Sequence, residues 1–90
     1  MSILKDLNIH VVDDDPDVLT VVKALLEDFG ARVKTNTSSK QALIEIIEDK
    51  PDLAILDLMM PEMDGLDLCR LLREKAELEK MKIVIFSGKS

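Results

Sequence analysis

Leu53-Ala54-Ile55-Leu56-Asp57 decides the fold. Four consecutive apolar residues leave no polar face, and the run stops on an acid. A strand buried on both faces reads this way, whereas a half-exposed strand would alternate. Working outward, Asn8 to Asp13 (NIHVVD) and Lys82 to Phe86 (KIVIF) have the same character, and Arg32 to Thr35 forms a weaker strand. Amphipathic segments separate them. The first starts at Asp15-Pro16, an N-cap followed by proline in the first turn, and carries Val18, Val21, Val22, Leu25, Leu26 and Phe29 at helical spacing before Gly30. The second opens on the capping pair Ser38 and Gln41, carries Ala42, Leu43, Ile46 and Ile47, and closes at Lys50-Pro51. The third spans Leu66 to Lys75, with Leu66, Cys69, Leu72 and also Leu71 as its inward residues. Buried strands alternating with helices of this length imply an α/β fold, a doubly wound parallel sheet of order βαβαβαβ.

The chain has 90 residues, enough for one domain, with 47% hydrophobic and 33% charged residues. Aromatics contribute only Phe29 and Phe86, so the core is aliphatic. A net charge of −6 argues against nucleic acid and against an anionic membrane surface as partners. The single cysteine, Cys69, excludes an internal disulfide. The opening MSILKDLN is too short and polar for a signal peptide, and no apolar run is long enough to span a bilayer. A cytoplasmic protein is expected.

In open α/β sheets, functional groups gather at the carboxyl ends of the strands, near the point where strand order reverses. Here those ends carry Asp13 and Asp14, Asp57, and Ser87. Taken alone, Asp13 to Asp15 reads as a solvated turn with a helix cap, and Ser87-Gly88 as a turn. Asp57, ending an apolar strand, is harder to read as bland, because carboxylates are seldom buried without partners. If the first and third strands are neighbours, the acids converge and repel, and a divalent cation relieves the conflict. An all-oxygen set without His or Cys suits a hard ion, Mg²⁺ where phosphate chemistry occurs. One carboxylate could then act as a nucleophile towards phosphorus, with Ser87 donating to a phosphoryl oxygen. Met59, Met60 and Met63 read as a plug over the end of the core, His10 as a structural histidine, Cys69 as core, and Glu74 to Lys82 as a solvated helix end and loop.

The segments VVDDDPDV (11–18), ILDLMMPEMDG (55–65) and VIFSGKS (84–90), in this order and spacing, resemble the receiver domain of two-component response regulators. The resemblance runs from Ile9 to Ser87. It implies a flavodoxin-like receiver fold of strand order 2-1-3-4-5 that takes a phosphoryl group from a histidine kinase or phosphotransfer protein and requires Mg²⁺. By position it makes Asp57 the phosphoacceptor and Ser87 the switch hydroxyl. Asp14 ligates Mg²⁺ directly and Asp13 assists through water. Asp57 and the Met59 backbone carbonyl complete the ligands. Pro61 and Gly65 shape the loop after the acceptor, and Met59 and Lys89 fall where the family tunes phosphoryl lifetime.

The family has five βα units, and this chain stops just past its fourth strand. The expectation is therefore a receiver domain over residues 1–90 that lacks the fourth helix, fifth strand and fifth helix. The family lysine after the fifth strand has no counterpart, since Lys89 stands elsewhere, and the aromatic switch residue is missing too. Phosphorylation is accordingly expected to be impaired. The fourth strand becomes an edge, and a homodimer through it, or swapping of elements, is expected. A phosphorylation-independent interaction module is the alternative. A phosphohydrolase would need a second acid two residues after the nucleophile, where Met59 stands.

Overall fold

The structure, a computed structural model, describes residues 2–87. Four strands and three helices alternate along the chain: β1 (Asn8–Val12), α1 (Pro16–Asp28), β2 (Arg32–Asn36), α2 (Ser39–Asp49), β3 (Leu53–Asp57), α3 (Gly65–Arg73) and β4 (Lys82–Phe86), with a 3₁₀ turn at Ala76–Leu78 before β4. The helix starts follow from the sequence. The Asp15 side chain accepts the Asp17 N–H at 2.9 Å, and the Ser38 hydroxyl oxygen accepts the Gln41 N–H at 3.2 Å. The ends follow too: Gly30 takes a φ of 101°, and Lys50 closes α2 in the left-handed region before Pro51.

The strands form one parallel sheet of order β2-β1-β3-β4. The chain moves from β1 outward to β2, then doubles back across β1 to β3 and β4. Right-handed crossovers with that reversal put α1 on one face and α2 and α3 on the other. Two cores result. Ile9, Val11 and Val33 pack with Leu19 of α1, while Val12, Ala54 and Leu56 pack with Ala42 and Ile46 of α2 and Leu68 and Leu72 of α3. The reversal lies between β1 and β3, so their carboxyl ends border the crevice at the top of the sheet.

Three expectations about facing residues are corrected. In α1 the buried residue is Leu19, while Val21 and Leu25 are exposed, because the helix carries a wider apolar arc than the sheet covers. In α3 the inward pair is Leu68 and Leu72, with Cys69 packed beside them; Leu66 points out, and the helix ends at Arg73. The polar stretch 74–82 is not wholly solvated. Leu78 and Met81 are buried, and the Arg73 guanidinium holds the bend by donating to the Leu78 and Met81 carbonyls at 3.1 and 2.7 Å.

Candidate functional site

Asp13 is the first residue past β1. Its N–H donates to the Asn36 carbonyl at 3.2 Å, which continues the β1–β2 ladder by one step. Its Oδ1 accepts the Asp15 N–H at 2.9 Å, so the turn into α1 orients the carboxylate. Asp14 follows and is exposed, as a residue one step further along the pleat would be. Asp57 closes β3 beside Phe86 of β4, and its Oδ1 accepts the Met59 N–H at 3.2 Å.

Strand adjacency brings the three acids together. One carboxylate oxygen each of Asp13, Asp14 and Asp57 lie within 4.8 Å of one another. Two of these acids are buried, Asp13 at 4% exposure and Asp57 at 7%. Burial pushes the Asp13 carboxyl above its ordinary range. The Asp15 N–H opposes this, while the charges of Asp57 and Asp14 push the same way. Among the described residues no cation pairs with any of the three. An oxygen-only set, two of its three acids buried, that repels itself fits a hard divalent cation and offers nothing to a thiophilic one.

The loop after Asp57 is fastened on both sides. The Leu58 N–H donates to the Phe86 carbonyl at 2.7 Å, and the Gly65 N–H to the Leu58 carbonyl at 3.0 Å. Asp64 caps α3 by accepting the Asp67 N–H at 2.9 Å. The methionine plug holds for Met60, which is buried, and for Met63, which packs against the core. It fails for Met59, which is 55% exposed, with its backbone N–H committed to Asp57. Ser87 is exposed and follows Phe86, the register partner of Asp57, so it ends its strand at the same edge of the sheet. Lys89 lies outside the described residues.

His10 is a structural histidine, as its place inside a strand suggests. It is buried, and its Nε2 meets the Asn36 side-chain oxygen. The role of Asn36, which also gives its carbonyl to Asp13, is not signalled by its neighbours in sequence.

Among the described residues no helix is long and apolar enough to cross a membrane. The family model of the response regulator receiver domain matches residues 9–90. The alkaline phosphatase synthesis transcriptional regulatory protein PhoP of Bacillus subtilis is 39% identical over 67 residues, which are 74% of this chain and 28% of PhoP. The chain spans 28% to 67% of the lengths of the first curated relatives it matches. A response regulator receiver domain protein from Clostridium thermocellum superposes with a TM-score of 0.86 at 31% identity, covering 93% of this chain and 67% of that one. The receiver domain of the sensor histidine kinase PA1611 of Pseudomonas aeruginosa superposes with a TM-score of 0.87 at 25% identity, covering 93% and 69%. That structure holds a magnesium ion coordinated in its active site cleft.

Proposed function

The chain belongs to the response regulator receiver domain family, and from that membership we propose that Asp57 accepts a phosphoryl group from the phosphohistidine of a two-component kinase or phosphotransfer protein, with Mg²⁺ required. The convergence of Asp57 with Asp13 and Asp14 at the reversal point of the sheet carries this reading. A carboxylate oxygen of Asp57 attacks phosphorus, the P–N bond to the donor imidazole breaks, and the imidazole takes a proton. The Met59 N–H on Asp57 Oδ1 fixes the rotation of the nucleophile. Asp13, Asp14, Asp57 and the Met59 carbonyl would hold the metal, Asp14 as a ligand and Asp13 in support. When bound, Mg²⁺ supplies the positive charge that lets an anionic carboxylate meet an anionic phosphoryl group. The Ser87 hydroxyl donates to a phosphoryl oxygen. The transfer is self-catalysed, the module is a signalling domain rather than a conventional enzyme, and its proposed compartment is the cytoplasm.

A second copy of the chain is the other proposed partner. Among the described residues β4 pairs only with β3, so its outer edge presents unmade backbone hydrogen bonds along an apolar strand.

Incubation with Mg²⁺ and acetyl phosphate, followed by intact mass, tests the acceptor. A single, partial phosphoryl adduct is expected, prevented by EDTA added beforehand and lost in Asp57→Asn. An adduct that survives Asp57→Asn overturns the assignment.

A further inference from the structure

A chain of polar contacts that phosphoryl chemistry leaves unused runs from one fully buried side chain, through the half-buried Asn36, to the acid site. It begins at His10, 1% exposed in the middle of β1. By the alternation of the strand, His10 shares the face of Val12, which packs with α2. Its Nε2 meets Asn36 Oδ1. Asn36 Nδ2 donates to Glu45 Oε2 of α2 at 3.2 Å, and Gln41 Nε2 donates to the same oxygen at 3.1 Å. The directions are set from the Glu45 end. A carboxylate only accepts, so Asn36 turns its NH₂ towards Glu45 and its oxygen towards His10, and His10 carries its proton on Nε2 and donates.

The main chain of Asn36 then leads into the site. Its carbonyl accepts the Asp13 N–H at 3.2 Å, and Asp13 Oδ1 accepts the Asp15 N–H at 2.9 Å. A side chain that only filled space at position 10 would be apolar, since a buried imidazole is costly unless bonded. A polar chain with fixed direction has another use: it selects one placement of the end of β2.

We propose that His10 and Asn36 are positioning residues for the acid site: the imidazole, through the Asn36 side chain, holds the end of β2, and the Asn36 carbonyl thereby sets the backbone from which the Asp13 carboxylate projects. The inference rests on reading Asp13 as a member of the Mg²⁺ site.

The test compares amide hydrogen exchange, residue by residue, in the metal-free wild-type chain, His10→Leu and Asn36→Ala. Exchange at Asp13 is expected to quicken about tenfold in both variants, the loss of roughly one hydrogen bond. The amides of Ile55 and Leu56 in the neighbouring strand are expected to keep their wild-type rates. His10→Gln retains a side-chain N–H donor and should restore protection at Asp13. Asn36 is half-buried at a strand end, so Asn36→Ala answers even where His10→Leu fails to fold. Asp13 protection that is unchanged, or lost only in step with Ile55 and Leu56, overturns the proposal. A parallel Mg²⁺ titration should show about tenfold weaker binding in Asn36→Ala, the usual scale for groups that orient a ligand; wild-type affinity there also overturns it. A wild-type chain that binds no Mg²⁺ refutes the metal reading itself, and the exchange rates then decide on positioning alone.

Discussion

Gly65 and Asp57 meet backbone to backbone: a Cβ built on Gly65 would lie 2.5 Å from the Asp57 carbonyl oxygen and 3.0 Å from the Leu58 Cα. Every atom in the way belongs to the main chain, so no flexible side chain can yield. The first turn of α3 is thus seated directly on the end of β3. The Gly65 N–H on the Leu58 carbonyl at 3.0 Å closes the loop between them. The conformation of the Asp57 peptide unit depends on the absence of one methyl group.

Gly65→Ala should therefore lower stability by about 2 kcal/mol, roughly 10 °C in Tm, through overpacking against fixed backbone. The displaced β3 end should also weaken Mg²⁺ binding. Thermal unfolding by circular dichroism and a metal titration check both effects. An alanine variant with wild-type Tm would mean that the loop moves aside freely.

Asp13 sits at a cost to the metal-free fold. Burial, reinforced by the charges of Asp57 and Asp14, holds its carboxyl above the ordinary range. An acid with a raised folded value binds more protons folded than unfolded between the ordinary value and the raised one. Stability therefore falls as pH rises through that window, and the cost is fully present above it. Asn keeps the size and an oxygen for the Asp15 N–H. Asp13→Asn should stabilise the metal-free protein at neutral pH by about 1 kcal/mol, the scale common when a functional group is relieved of strain. The gain should vanish once pH drops below the ordinary carboxylate range. Denaturant titrations at two pH values decide it, and a variant less stable than wild type at neutral pH contradicts the sign.

The strands and their caps were legible because the signals are local. Leu53 to Asp57 is apolar on successive residues, and Asp15 and Ser38 cap through N–H groups two and three positions ahead. The meeting of Asp13 and Asp57 was legible as well, since both end strands and the order reversal makes those strands neighbours. Periodicity located the helices but could not choose a face wherever apolar residues outnumber the partners available. In α1 it could not separate Leu19 from Val21 and Leu25. In α3 the phase is set by the seating of Gly65 on Asp57, which turns Leu68 inward and Leu66 out. Asn36 was invisible for a further reason. Its side chain joins His10 and Glu45, which lie 26 and 9 residues away, and no short window contains all three.

Divalent cation should stabilise the fold in proportion to occupancy. At a Mg²⁺ concentration about ten times the dissociation constant, linkage gives roughly 1.4 kcal/mol. For a domain of this size that is about 6–11 °C in Tm. Asp57→Asn and Asp13→Asn each remove one charge from the converging set, so the Mg²⁺-dependent rise should shrink in both. Equal rises in wild type and both variants would place the cation somewhere other than the acid cluster.

Self-association should depend on the outer edge of β4. Val84 is 49% exposed and pairs in register with Ile55, so the edge is apolar on the face shared with α1. Lys82, at the start of the strand, is its only charge. Edges of this kind pair with other strands, and an added lysine is the usual guard against it. Light scattering at tens of micromolar should show a dimer for the 90-residue chain and a monomer for Val84→Lys. Val84 already contacts solvent, so the substitution should cost about 1 kcal/mol or less in folding stability, and loss of the dimer would not reflect unfolding. A wild-type chain that stays monomeric at that concentration removes the second copy as a partner.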